Sequence, residues 1–337
     1  MFARQPVAFI LMLVVAAAAL AQSQGTSREA AAAEETLSAI VRVKAKILPD
    51  ARSIATLGAR REGSGALVRE GYVATIGYLV IEAESIEVTG AGGRSVPAAL
   101  AGYDHASGFG LLRLLAPLPG KPLPLGDAAA LAEREPVLVA SYGTDDYINV
   151  VSVVSRRPFS GSWEYLLDSA IYTYPPVMNW SGAALISKRG ELVGLGSLIV
   201  ADAVGSAAGG GAQAPGNMFV PVDLLKGILE DLIARGKAPG PARPWLGINT
   251  EELRGHLFVT RVSPDGPADK AGIVHGDVLI GIGTEAVSSL ADFYRKLWAR
   301  GNAGTEVTLR VLRGGEVKDV TLRSIDRLEY FRSRPSY

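Results

Sequence analysis

No cysteine occurs among the 337 residues, so disulfides and zinc–cysteine sites are excluded, and burial and strand pairing must hold the fold. There are three histidines, His105, His256 and His275, and no two of them stand at metal-ligand spacing; no metal and no cofactor is expected. Neither sign of charge prevails: 34 Lys and Arg balance 34 Asp and Glu, which argues against a nucleic-acid partner, because phosphate binding needs clustered cations. Aromatic residues are scarce and wholly absent from Gln22 to Glu70. Long apolar runs are lacking too. The longest, Val7 to Val15 running on into alanines, is short for a bilayer span of about 18 residues.

That run does have the layout of a signal peptide over residues 1–21: one positive charge at Arg4, the apolar stretch, then Ala19-Leu20-Ala21 as a small-x-small cleavage signal. Export is expected, with membrane contact only if the segment stays uncleaved as an anchor. Residues 22–38 are polar and alanine-rich, and Ser27 to Ser38 has the composition of a helix. From about residue 39 the pattern changes to short apolar segments separated by Gly, Asp and Pro. They run over Ala39–Ile47, Ser64–Val68, Tyr72–Ile76, Ser85–Val88, Leu111–Leu114, Val137–Ala140, Ile148–Val154, Ala183–Ile186 and Leu192–Val200. Many short strands with frequent turns predict an all-β barrel or sandwich.

Ala207 to Gly216 reads as a Gly- and Ala-rich surface loop. Pro221 opens a helix with Leu224, Leu225, Ile228 and Leu232 on one face and Gly236 at its end. Residues 237–244, rich in proline, form a linker. A second domain is expected over 245–326, followed by a tail at 327–337. In it His256–Val262 reads as a strand, and Val307, Leu309 and Val311 alternate inward before a Gly314-Gly315 hairpin turn. Ser289 to Asp292 has the spacing of a capping box, opening a helix with Leu290, Phe293 and Leu297 on one face.

Met178-Asn179-Trp180-Ser181-Gly182-Ala183-Ala184-Leu185 resembles the nucleophile loop of a trypsin-like serine protease. With the segments that follow it, the chain is similar to the HtrA/Deg family, a protease domain followed by a PDZ domain. The resemblance implies a mainly β protein: a trypsin-like double β-barrel over 39–236, then a small sheet capped by helices. It also implies that Ser181 stands at the nucleophile. Gly71-Tyr72-Val73-Ala74-Thr75-Ile76-Gly77-Tyr78-Leu79-Val80 puts Tyr78 at the family's histidine, and Asp104 to Arg113 puts Gly108 at its aspartate. A serine hydroxyl needs an adjacent base held by a third group, and a phenol with a reference pKa of about 10 is a poor base at neutral pH. Asn179 and Trp180 replace the glycine and asparagine before the serine, which alters the loop that would shape an oxyanion hole. No intact catalytic set is expected. His105 is expected to be a solvated turn residue, and Lys188 a surface charge.

Trp245-Leu246-Gly247-Ile248 resembles the loop with which PDZ domains hold a peptide's terminal carboxylate on consecutive backbone N–H groups. Ser263 to Ile273 and Gly276-Asp277-Val278-Leu279 match the family's next segment. The resemblance implies that a peptide adds as a strand along Ile248 and Asn249, facing the helix residues Leu290, Phe293 and Tyr294. The expected function is therefore an exported, inactive HtrA-like pseudoprotease of the Gram-negative periplasm. It would bind peptides or protein C-termini through its PDZ domain, as regulator, adaptor or holdase, with an active HtrA-type protease or unfolded envelope proteins as partners. The alternatives are an active HtrA-type endopeptidase and a structural subunit that assembles with an active homologue. The aromatic-free N-terminal stretch argues against the family's aromatic-mediated trimer.

Overall fold

The computed structural model describes residues 31–143, 147–205 and 213–331. The signal segment, most of the glycine-rich loop and most of the tail lie outside the described residues. Residues 31–38 are helical, and the chain then enters the first of two closed antiparallel barrels.

The first barrel contains β1 (Ile40–Ile47), β2 (Arg60–Arg69), β3 (Tyr72–Ile76), β4 (Ala83–Thr89), β5 (Ser95–Tyr103) and β6 (Phe109–Leu114), in the order β1-β2-β3-β6-β5-β4. Alternation drives it: Val41, Val43, Ala45 and Ile47 of β1 point into the core while Arg42, Lys44 and Lys46 lie on the outer face. The second barrel contains β7 (Pro136–Ala140), β8 (Ile148–Gly161), β9 (Tyr165–Tyr174), β10 (Ala184–Ile186), β11 (Leu192–Val204) and β12 (Ala214–Pro221), in the order β10-β11-β12-β9-β8-β7. Closure leaves neither sheet with a free edge.

Three of these strands, β5, β9 and β12, have no counterpart among the sequence-predicted segments. The alanines of β5, the nearly continuous burial of β9 and the Pro and Gly of β12 hide the alternation, and pairing on both sides decides their conformation instead. Ala214 to Gly216 thus belongs to β12 and not to a loop. The single helix expected after Pro221 is two, α1 (Val222–Lys226) and α2 (Leu229–Arg235), broken at Gly227-Ile228. Leu225 and Leu232 are buried, whereas Leu224 is 42 % exposed and does not share their face. Gly236 closes α2 in the left-handed conformation, as its position predicts.

The second domain holds β13 (Ile248–Leu253), β14 (His256–Val262), α3 (Pro267–Lys270), β15 (Val278–Ile282), β16 (Glu285–Ala286), α4 (Leu290–Ala299), β17 (Glu306–Arg313) and β18 (Glu316–Arg323). Strand order is β13-β14-β15-β17-β18, with β16 paired to β15. Gly314-Gly315 makes the β17–β18 hairpin, and the Ser289 hydroxyl caps α4 by accepting from the Asp292 N–H at 3.1 Å. Leu290, Phe293 and Leu297 of α4 pack with Leu257, Val259, Leu279, Leu309 and Val311 of the sheet. Each such side chain, once buried, contributes about 1.5–3 kcal/mol.

One charge sits in this core. Asp277, fully buried, accepts 2.6 Å bonds from Nε and Nη2 of Arg313 and a 3.0 Å bond from the Val274 N–H, fastening the turn before β15 to β17. Removing one member of such a pair leaves the other uncompensated. We therefore expect Asp277→Asn to destabilise this domain by about 2–3 kcal/mol. Hydrogen exchange of the β14 and β15 amides against denaturant checks it; protection unchanged from wild type would contradict the role of this pair.

Candidate functional site

Two places on the chain answer to the motifs above. The first lies between the barrels. Strand β3 ends in a single 3-10 turn, Gly77–Leu79, which carries Tyr78 toward the loop before β10. That loop is pinned to β2, because the Ser64 N–H donates to the Ser181 carbonyl at 2.8 Å and the Thr75 hydroxyl donates to the Ser64 carbonyl at 2.7 Å. Gly182 stands at φ +72°, and a Cβ there would lie 1.9 Å from the Ser64 carbonyl oxygen, so only glycine fits.

The Tyr78 and Ser181 hydroxyls are 2.9 Å apart, and Tyr78 Oη also lies 2.9 Å from the Ser197 carbonyl oxygen. A carbonyl can only accept. The phenol proton is thus committed to Ser197, and the Ser181 hydroxyl becomes the donor to Tyr78. Burial raises the Tyr78 pKa above the ordinary phenol value, outweighing its hydrogen bonds to Ser181 and Trp180. At neutral pH Ser181 faces a neutral phenol, which cannot take its proton.

Gly108 is the residue that the motif resemblance sets at the third catalytic position. Its φ is +81°, and a Cβ there would meet Tyr165 Oη at 3.2 Å. The Tyr165 hydroxyl donates to the Ser107 carbonyl at 2.6 Å, so a buried ring fills the space into which a carboxylate would grow. Lys188 is exposed and lies 3.5 Å from Glu135, a surface ion pair as expected.

His105 departs from expectation. Its ring packs edge-on against Tyr103 at 4.3 Å and stacks on Phe331 at 5.6 Å, inside the protein and not in solvent. Burial first, and the Arg327 charge second, hold its pKa well below the ordinary histidine value, so it stays neutral. It lines a cavity of about 250 Å³ under the linker, together with Glu164, Trp245 and Arg327. The reason is that the linker and the first residues of the tail, Arg327 and Phe331 among them, fold over this turn.

The second place is the loop leading into β13. The backbone N–H groups of Leu246, Gly247 and Ile248 do converge on a carboxylate, as the motif predicts, but it is the protein's own. Glu164, on the turn between β8 and β9, accepts from the Leu246 N–H at 3.0 Å and, on its other oxygen, from Gly247 and Ile248 at 2.7 and 2.9 Å. Around it the Thr250 N–H donates to the Ser162 carbonyl at 2.9 Å. The Tyr294 hydroxyl donates to the Gly161 carbonyl at 2.7 Å and accepts from the Glu164 N–H at 3.0 Å. Arg327 donates to the Trp163 carbonyl at 3.0 Å. Leu166 packs into the core of the second domain against Leu246, Ile248 and Phe293.

Of the sequence-predicted binding residues, Trp245, Leu246, Gly247, Ile248, Leu290, Phe293 and Tyr294 are gathered along this groove. The Trp245 ring packs on Tyr330 at 4.7 Å. The Asn249 side chain points away and accepts from Arg261 at 3.2 Å. Glu164 itself was not legible: a lone glutamate in a hairpin turn carries no motif. Only its conformation marks it, with φ +59°, which a long side chain seldom adopts.

Comparison with known proteins agrees with both halves. Residues 63–195 match the trypsin-like peptidase domain family and residues 244–323 the PDZ domain family. Together these define a trypsin-like peptidase fold joined to a PDZ domain. The chain belongs with the HtrA-type proteins. It is 28 % identical over 281 residues to a Haemophilus influenzae protein named "Probable periplasmic serine protease do/HhoA-like", covering 77 % of this chain and 57 % of that one. It is 27 % identical to Escherichia coli K12 periplasmic serine endoprotease DegP, covering 77 % and 56 %, and 27 % identical to chloroplastic Protease Do-like 1 of Arabidopsis thaliana, covering 75 % and 61 %. The chain thus spans little more than half the length of these relatives. Among solved structures, HtrA-type protease AlgW with a decapeptide superimposes with a TM-score of 0.53 over 90 % of this chain and 98 % of that one, at 21 % identity. The serine endoprotease of Yersinia pestis superimposes with a TM-score of 0.51 over 88 % and 96 %, at 23 % identity.

The Glu164 carboxyl is pushed up to about 7, because burial outweighs the pull of the Ile248, Leu246 and Gly247 N–H groups and of Arg327. A free glutamate titrates near 4.3. The docked form therefore holds its proton to higher pH than the undocked form. Its advantage is complete below about pH 4.3 and is lost as pH rises through about 7. Carbon-13 NMR of the glutamate carboxyls should show one group titrating near 7 that disappears in Glu164→Gln. A titration in the ordinary glutamate range would mean that the carboxyl is not buried against this loop.

Proposed function

We propose that the protein is a catalytically inactive HtrA-type pseudoprotease of the bacterial envelope that acts by binding peptides or protein C-termini through its PDZ domain, as regulator, adaptor or holdase. The observation that carries the reading is the Tyr78–Ser181 pair at 2.9 Å, with the tyrosine proton directed to Ser197. Such a serine has a hydrogen-bond acceptor but no base, and nothing orients a base. The PDZ half is supported by the convergence of three N–H groups at Leu246 to Ile248, a geometry suited to one carboxylate. Partners of two kinds fit the reading: an active HtrA-type protease, or unfolded envelope proteins. Periplasmic location is supported by the bacterial relatives' names and by the signal-like layout of residues 1–21.

A second reading has its own support, since the curated relatives are named as serine proteases. It would be an active endopeptidase with a base outside the usual triad. A structural subunit assembling with an active homologue is the third, and co-purification of a protease from envelope extract separates it from the first.

Purified full-length protein should leave casein uncut, should not react with a serine-directed phosphonate, and should be indistinguishable from Ser181→Ala in both. Cleavage that is abolished by Ser181→Ala would establish the endopeptidase instead. Restoring Tyr78→His together with Gly108→Asp should also give activity far below that of an intact family member. The introduced aspartate would be strained at φ +81° and crowded by Tyr165, and each misplaced oxyanion donor costs about 10²–10³ in kcat. Casein turnover by the double variant within tenfold of an intact homologue would show that only the base had been lost.

A further inference from the structure

A PDZ groove recognises a ligand by three things: a carboxylate on the loop amides, main-chain bonds along the first strand, and an apolar side chain in the pocket beside the helix. Residues Ser162 to Leu166 of this chain supply all three. The Glu164 carboxylate takes the Leu246, Gly247 and Ile248 N–H groups. The Ser162 carbonyl takes the Thr250 N–H of β13 at 2.9 Å, and Leu166 enters the apolar cluster beside α4. Contacts on either side hold the turn in place, from Tyr294 to Gly161 and from Arg295 to Asp168 at 2.8 Å.

We propose that the β8–β9 turn is a resident internal ligand of the PDZ groove, so that a peptide with a free terminal carboxylate and an apolar last residue binds only by displacing Glu164. The second half rests on the peptide-binding reading above; the first does not. A tethered ligand competes at an effective concentration that reaches the millimolar range. The left-handed backbone at Glu164 works against it and limits how tightly it holds. The net result is a groove whose apparent affinity is reduced at least tenfold while remaining open to displacement.

The substitution that isolates the carboxylate is Glu164→Gly, since glycine suits φ +59° and leaves the turn unstrained. In the full-length chain without peptide, hydrogen exchange at Leu246, Gly247 and Ile248 should be at least tenfold faster in Glu164→Gly than in wild type. Equal exchange in the two proteins would overturn the proposal. Fluorescence polarisation with a fluorescein-labelled decapeptide ending in valine should then give at least tenfold tighter binding to Glu164→Gly, and none to either protein when the peptide is amidated. Equal, tight binding of the free acid by both would overturn displacement. Accelerated exchange with no peptide bound by the variant would keep the internal ligand and sink the peptide-binding reading. Should Glu164→Gly not fold, as judged by circular dichroism, Glu164→Asn preserves the backbone preference and Tyr294→Phe releases the turn from its other side; both should show the same acceleration, to a lesser degree for Tyr294→Phe.

Discussion

The Glu164 carboxylate, buried at the seam of the two domains, is the contact on which the arrangement of this protein turns. Carboxylates are costly to remove from water, and this one has protein N–H groups in place of its hydration: Leu246 on one oxygen, Gly247 and Ile248 on the other. The same loop must satisfy three convergent donors, so Glu164 can leave only when water or another carboxylate takes its place. Leu166 adds apolar burial two residues along the turn, and Arg52, bonded to the Pro264 carbonyl at 2.6 Å, ties the domains together at a second point. Domain orientation follows from side chains whose individual roles are local.

Covering the β5–β6 turn with the linker and the start of the tail also changes what that turn can be. His105 is enclosed by Tyr103 and Phe331, and burial keeps it neutral. Tyr165, the residue after Glu164, fills the space beside Gly108 and bonds the Ser107 carbonyl. The turn that enters the PDZ groove is thus continuous with the ring packed against Gly108. On the other side of the cleft the Tyr78 hydroxyl satisfies both Ser181 and the Ser197 carbonyl. Gly182, which no larger residue could replace beside the Ser64 carbonyl, and the Ser64–Ser181 backbone bond hold the Ser181 loop against the first barrel.

Much of this was legible in the order of residues alone. Alternating apolar positions in β1 and β17, the Gly314-Gly315 turn, the Ser289 cap and Gly236 at a helix end are local signals, each fixed by a few neighbouring residues. The same is true of Tyr78 and Gly108, which stand at positions set by short motifs. Strands β5, β9 and β12 were not legible, because the alanines of β5, the burial of β9 on both faces and the Pro and Gly of β12 leave no alternation, and their conformation comes from partners on both sides. The break between α1 and α2 escaped for a similar reason: the spacing of Leu224, Leu225, Ile228 and Leu232 suits one helix, and packing against the barrel selected two.

Sequence by itself therefore determined the domain order and which residues stand at Tyr78, Gly108 and the Leu246 to Ile248 loop, all of which depend on residues close together in the chain. Only the tertiary structure decided what that loop holds and what environment His105 occupies. Glu164 and Leu246 are separated by 82 residues, so no local pattern could have announced their contact. Whether a glutamate in a hairpin turn is a solvated surface charge or a buried ligand depends on the second domain being present to take it up, and desolvation and hydrogen bonding act only once the two are brought together.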